Sequence, residues 1–468
     1  MSNRTIANGT KADVVIVGGG LSGLTAAVAA SARSASVLVL ERGSDDRYAC
    51  NSRFAGGAFH VAYTDPESPC DQLLAAINRV TKGEAKADLA DALATNAGRT
   101  VRWLRDQGIA FAPGPTPMHK WMVSPHRPLL AGLDWPDHGP DEMLKTLAAR
   151  LLAQGGQLVR GCEALGLRMV DGRCIGLRAQ STAGQSIDID AAAVLLADGG
   201  FQGNAQMVGR YITGRPELLV QRSAGTATGD GIRMAEEVGA ALVSMERFYG
   251  HFLAHAALTS DGFSPYPQLD PIAAVSMVID ATGRRFVDEG LGGVYMSNVV
   301  ARFDDPTTTF TIFDDRIWRE GPGVTSVYPC NPTVERAGGK VYSAAGPAEL
   351  AAQIGVDPDI LTQTVEIYNR AVRDGCGERL DVPRSGAPAA LDRRPLMAMP
   401  MAVGITNTMG GIDIDAKMRV QHVNGGHIRG LFAAGGSTGG LEGGGTVGYV
   451  GGLIKAAVTG LIAGENVH

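Results

Sequence analysis

DVVIVGGGLSGL, residues 13–24, runs from five residues rich in Val and Ile straight into a glycine triplet, and LTAAVAASARSA follows over 24–35. The apolar run bounded by glycine reads as a buried strand and the alanine-rich stretch as a helix. VLVLE at 37–41 supplies a second strand, completing a strand–helix–strand unit. Gly18, Gly20 and Gly23 stand at the spacing GxGxxG. The first allows the tight turn, the second lets the main chain approach a pyrophosphate, and the third lets helix and strand pack closely. Leu21 and Ser22 open the helix, whose N-terminal N–H groups and roughly half a positive charge favour a phosphate. Glu41 ends the second strand, where a carboxylate accepts hydrogen bonds from a ribose hydroxyl and repels the extra phosphate of NADP. The unit is a dinucleotide site. The motif alone does not separate FAD from NAD.

Working outward, 468 residues exceed the size at which one core stops growing, so two domains are expected. Hydrophobic content of 45% and charged content of 19% describe a globular chain. A net charge of -6 provides no basic stripe for phosphates, so nucleic acid is not an expected partner. Cysteines 50, 70, 162, 174, 330 and 376 form no CxxC pair and no metal-ligand spacing, which fits a reduced, cytoplasmic protein without a metal. The N-terminus shows no apolar signal core. The apolar C-terminal stretch contains Lys455 and several glycines, and it reads as a buried helix rather than a membrane span.

Helical patterns occupy 70–80, 87–108 and 142–155, with short strands over 157–161 and 164–180. AAAVLLADGGF at 191–201 and TATGDGIRMAEEVGA at 226–240 bring further glycine clusters. From about 245 to 400 aromatics, prolines and mixed strands replace the alternating rhythm, which returns with GLFAAGG at 430–436 and the terminal helix. The expected architecture is α/β: a Rossmann-like dinucleotide-binding domain over 1–244 and 401–468, with an α+β capping domain inserted at 245–400.

Three segments carry a resemblance along nearly the whole chain: Arg42-Gly43 with Asn51-Ser-Arg-Phe-Ala-Gly56-Gly57, Ala197-Asp-Gly199-Gly-Phe, and Gly430-Leu-Phe-Ala-Ala-Gly435-Gly with GGLEGGG behind it. Together with Thr228-Gly-Asp230-Gly, Gly283-Arg-Arg-Phe-Val-Asp-Glu289 and Thr408-Met-Gly-Gly411, the sequence resembles the flavoproteins of the fumarate reductase and succinate dehydrogenase family. That family includes tricarballylate and ketosteroid dehydrogenases. The resemblance implies FAD along Gly18, Gly20, Leu21, Ser22, Gly23, Glu41, Arg42, Asn51, Ser52, Gly56, Gly57, Ala197, Gly199, Asp230, Gly435, Thr446 and Val447. It also implies a cap closing over the flavin. Some members attach FAD through a histidine in the segment matching 51–57. Asn51 stands there in this chain, so non-covalent FAD is expected.

The family's shared reaction moves a hydride between flavin and a substrate carbon while the neighbouring carbon gains or loses a proton, next to a carbonyl or carboxylate. The protein must hold the activating group, polarise its oxygen, and supply an acid or base. By resemblance, Gly293 occupies the catalytic arginine's position, Asn407 that of a substrate-binding histidine, and Thr446 that of a carboxylate-binding arginine. Glycine and threonine cannot replace a bidentate arginine grip, so fumarate and succinate are expected to be poor substrates. His251 matches the histidine that opens the capping domain. Tyr449, Tyr295 and Arg127 are the other candidates for polarising oxygen or moving the proton, with Tyr449 favoured by its place in TVGYVGG.

The expected function is FAD-dependent dehydrogenation or reduction of a carbon–carbon bond on a small molecule, tricarballylate dehydrogenase-like. A desaturase directed by the ketone of a cyclic or steroid-like substrate is the alternative; an oxidase and a non-catalytic electron carrier come after it. With no haem motif or iron–sulfur ligand set in the chain, electrons are expected to pass to a separate acceptor, a quinone or redox protein.

Overall fold

A computed structural model describes residues 6–33, 35–114, 116–126, 134–260, 262, 266–326 and 328–467. Its main sheet has eight strands. Five of them run parallel in the order His427–Ala433, Ser186–Leu196, Thr10–Val17, Val37–Glu41 and Gln157–Arg160. The apolar run of 13–17 is thus the buried end of the central strand, with Val14, Val15 and Ile16 fully covered. Such strands are covered on both faces, which is why they read as continuous apolar stretches rather than as alternation.

Register sets the position of the site. Val17 pairs with Leu40 and Leu196, and Leu196 pairs with Ala433. The loops starting at Gly18, Ala197 and Ala434 therefore leave the sheet side by side, at the carboxyl ends where open α/β sheets take ligands. Gly18 has φ +102°, and a Cβ there would come within 2.6 Å of the Ala197 carbonyl oxygen. That turn requires glycine for the fold itself. The following helix, Leu21–Ser31, is buried on every side, packed against the helices Gly139–Ala153 and Gly452–Asn466. Its alanines permit that close approach, since a helix apolar all round can exist only as a core element.

A second sheet of six strands is built around the long strand Leu396–Thr408. Phe248–Ala254, Phe310–Asp314 and Tyr342–Ala344 pair with it antiparallel, and Leu219–Gln221 pairs with it parallel. Two of these strands bear on the expected boundaries. Residue 400 lies inside Leu396–Thr408, and Leu219–Gln221 lies on the far side of 244. Glu289 is wholly buried in this region and accepts from Val278 N at 2.9 Å and from Arg285. Asp288 accepts from Gly290 and Ser385 backbone N–H groups. Both acids brace the turn that follows Arg284-Arg285-Phe286.

No described helix is long and apolar enough to cross a membrane. The six cysteines are unpaired. Asp137, Asp141 and Glu142 come close to one another, but Asp141 pairs with Arg53, Arg47 and Lys145, so that trio is neutralised by its own cations.

Candidate active site

A cleft of about 890 Å³ runs from the Gly18 loop, across the helix Asn51–Phe54, to the end of the second sheet. Gly18, Gly20, Ser22, Glu41, Arg42, Asn51, Ser52, Gly56, Gly57, Ala197, Gly199 and Asp230 all line it. Leu21 and Gly23 lie behind that wall. Leu21 N donates to Ser52 Oγ at 3.0 Å, and a Cβ on Gly23 would strike the Gly18 carbonyl.

The bare glycines test whether a dinucleotide fits. A Cβ on Gly20 would meet only Ser52 Oγ, at 3.4 Å, and one on Gly56 would meet nothing within 4 Å. No protein atom forbids a side chain at either position, yet both face the cleft without one. Backbone left bare toward an open space suits a bound phosphate chain. Glu41 fits the same group. Its Oε2 accepts from Gly19 N at 2.9 Å and its Oε1 from Gly43 N at 2.7 Å, which aims the carboxylate into the cleft. Burial pushes the Glu41 carboxyl above the ordinary carboxylate range, and those two N–H groups pull against it. Arg42 crosses to the far wall, donating to Thr228 Oγ1 at 2.9 Å and Asp230 Oδ2 at 3.2 Å.

Asn51 is engaged at both ends of its amide. Nδ2 donates to Thr406 O and Oδ1 accepts from Ala224 N, each at 3.1 Å. It ties the dinucleotide-binding layer to the second sheet. Gly435, at φ +69°, packs on Ser22, and its neighbour Gly436 faces the cleft.

Aromatic residues gather at the other end of the cleft. The Tyr249 and Tyr449 rings stack with centroids 3.8 Å apart, and the edge of His251 meets Tyr249 at 4.8 Å. Tyr266 and Tyr328 form a second pair at 4.0 Å. Tyr449 Oη accepts from Gly452 N at 2.7 Å, at the N-terminus of the last helix. Its proton is therefore left to donate elsewhere. Burial raises both the Tyr249 and the Tyr449 phenol well above the ordinary tyrosine range, so both stay protonated. His251 is half-buried, and burial lowers its imidazole below the ordinary histidine range; Asp270 opposes that shift and Arg222 adds to it.

The structure separates the remaining sequence candidates from this cluster. Tyr295 lies on the helix Gly293–Val300, packed against the core and not among the residues lining the cleft. Thr446 donates to Val80 O at 3.1 Å, and neither it nor buried Val447 lines the cleft. The loop 443–448 folds onto the end of the helix Cys70–Thr81 and the turn after it, because Gly448 rests on Val80 and Gly444 and Gly445 on Glu84. Arg127 lies outside the described residues. Gly293 and Asn407 both sit near the aromatic end: a Cβ on Gly293 would collide with Asp270 Oδ1, and Asn407 lines the cleft.

Several lining residues escaped the sequence reading. Tyr48 donates to Gly19 O at 2.7 Å and walls the glycine loop. Asp198 accepts from Gly231 N at 2.7 Å, and burial pushes its carboxyl up to about 6. Lys455 and Glu442 form a buried pair at 3.3 Å. Buried Arg222 donates to Thr406 Oγ1 at 2.6 Å. Asp198 and Glu442 had local signals, the ADGG turn after a strand and the GGLEGGG loop; Tyr48 and Arg222 are brought in by contacts between distant segments.

Residues 13–448 match the family described as FAD binding domain. The chain belongs to that family, and its cofactor is FAD. Among curated relatives, an NADH:acrylate oxidoreductase of Vibrio harveyi is 28% identical over 81% of this chain and 36% of its own length. The chain thus spans little more than a third of that relative. A vinyl phenol reductase of Lactiplantibacillus plantarum is 26% identical over 94% of this chain and 92% of its own. Among solved structures, a 3-ketosteroid Δ1-dehydrogenase of Sterolibacterium denitrificans superposes with a TM-score of 0.75, at 21% identity, over 98% of this chain and 99% of that one. That likeness is one of fold.

Proposed function

We propose that this chain is an FAD-dependent oxidoreductase that makes or removes a carbon–carbon double bond next to a carbonyl on a small, planar or cyclic molecule. The observation that carries this reading is Tyr449: its oxygen is occupied by the Gly452 N–H at 2.7 Å, so its phenolic proton is the one left to offer an activating oxygen. Bound FAD supplies the exchange of two electrons with a substrate carbon as hydride. The chain's own groups do the rest. Tyr449 holds and polarises the carbonyl oxygen, His251 gives or takes the proton on the neighbouring carbon, and the tyrosine pairs exclude water and select flat substrates.

The vinyl phenol reductase likeness over nearly full length supports an unsaturated, ring-bearing substrate. A tricarballylate-like substrate comes second. Of the arginine and lysine side chains described in the cleft, Arg42 pairs with Asp230 at 3.2 Å, Lys455 pairs with Glu442 at 3.3 Å and Arg222 donates to Thr406 Oγ1 at 2.6 Å, so each is already engaged within the protein, against what would be three substrate carboxylates. The second sheet is proposed as the cap, drawing in Leu219–Gln221 and reaching Thr408. With Asn51 holding backbone at both ends, FAD is proposed to be non-covalent and released by acid. Reduced flavin is proposed to hand its electrons to a separate quinone or redox protein, and in the reverse direction oxidised flavin to take them from a quinol or reduced redox protein.

Anaerobic mixing of the FAD-loaded protein with cyclic ketones, cyclic enones and di- and tricarboxylates tests the reading. Flavin bleaching by a saturated cyclic ketone, or reoxidation by its enone, is expected. Fumarate turnover on the order of ten per second, typical of ordinary enzymes, with no response to any ketone or enone, would overturn it.

A further inference from the structure

We propose that Asp270 is a positioning residue for His251: its carboxylate holds the imidazole with a proton on Nδ1, so that Nε2 is the nitrogen exchanging protons in the cleft. The inference rests on the reading of His251 as the proton-transfer group.

Asp270 opens the short helix Asp270–Val275, and His251 sits in the strand Phe248–Ala254. Their closest atoms are His251 Nδ1 and Asp270 Oδ1, 3.3 Å apart. Both carboxylate oxygens of Asp270 and both ring nitrogens of His251 are covered, with no aligned hydrogen-bond partner among the described residues. A covered carboxylate without a donor is costly, and a small rotation of the imidazole brings Nδ1–H onto it. Orientation of a histidine base through its other nitrogen by a carboxylate is a general device for fixing the tautomer.

Gly293 supplies the second observation. A Cβ there would collide with Asp270 Oδ1. Any side chain at 293 would therefore displace the carboxylate from its place beside His251, and glycine there leaves that place open to it. Other charged or titratable groups face the pair. Arg222 and Tyr249 lie beside His251, while Tyr63 and Cys330 lie within electrostatic reach of Asp270.

In the proton step the substrate C–H bond breaks and an Nε2–H bond forms. The electron pair of the broken bond passes into the neighbouring carbonyl, whose oxygen Tyr449 holds. Asp270 stays beside Nδ1 and orients the imidazolium. In reverse, Nε2–H returns the proton to carbon.

The test is the tautomer of His251 in FAD-loaded protein carrying ¹⁵N-histidine, read by NMR above the imidazole's titration and identified by the signal lost in His251→Gln. The wild type is expected to be mainly Nδ1–H. Asp270→Ala should shift the tautomer ratio toward Nε2–H by roughly tenfold, the size of a net hydrogen-bond loss. Gly293→Ala should reproduce that shift while keeping every carboxylate. A wild type that is mainly Nε2–H overturns the proposal without reference to any variant. So does an unchanged ratio in either folded variant. No turnover is involved, so a failure of the substrate panel and a failure of this assignment are separate results.

Discussion

At the scale of single residues, the sharpest contrast lies within the glycine loop. Gly18 is glycine because the fold requires it, whereas Gly20 is bare toward the cleft with only Ser52 Oγ near a would-be Cβ. Gly20→Val is therefore expected to purify without FAD while its apoprotein melts near the wild-type apoprotein's temperature; full loading would show that the pyrophosphate does not lie there. His60 offers a pH test. It is buried at the aromatic end, stacked on Tyr63, and burial pushes its imidazole down to about 4. Between the ordinary histidine value near 6.5 and about 4, the unfolded chain takes up a proton that the folded chain refuses. Stability is therefore complete above that window and falls with pH inside it, by about 1.4 kcal/mol per unit. Denaturant titrations of His60→Gln across this window should show a shallower loss than wild type. Parallel losses would mean that other groups govern acid sensitivity.

At the scale of elements, local pattern carried most of the fold. The run DVVIV became the strand Thr10–Val17, the pattern at 70–80 the helix Cys70–Thr81, and GLFAAGG the end of the strand His427–Ala433. Each is a segment whose apolar pattern alone fixes its type. The residues that build the aromatic end were less legible. Tyr449 and His251 could be singled out by motif. Asp270, Arg222, Tyr266 and Tyr328 acquire meaning only when the second sheet folds over the first, and no periodicity encodes that. Thr446 shows the converse: it sits in the right motif, but its loop turns toward Val80. That loop is anchored by Glu442, whose Oε1 accepts from Val450 N at 2.9 Å and Gly451 N at 3.2 Å while Lys455 pairs with Oε2. Removing one partner of a buried pair strands the other charge. Glu442→Ala is thus expected to lower unfolding stability by roughly 3–5 kcal/mol and to loosen Tyr449 from the Gly452 N–H. A loss under 1 kcal/mol in urea titrations would mean that the pair is hydrated and the loop held by other contacts.

At the scale of the whole molecule, one cleft joins two chemistries: bare backbone and a carboxylate at the sheet's carboxyl ends, and a tyrosine–histidine cluster at the end of the second sheet. The parallel sheet fixes the cofactor's end through register. The long strand Leu396–Thr408, tied to the first layer through Asn51 and Thr406, carries the other end to meet it. The central claim is that Tyr449 polarises the substrate carbonyl across this cleft. Its most direct test is anaerobic stopped-flow flavin bleaching by whichever cyclic ketone the substrate panel selects, in wild type and Tyr449→Phe. The variant is expected to keep FAD with an unchanged spectrum and to bleach about a hundredfold or more slowly, the scale of a positioned acid–base group. Bleaching at the wild-type rate in a fully loaded Tyr449→Phe would contradict the account.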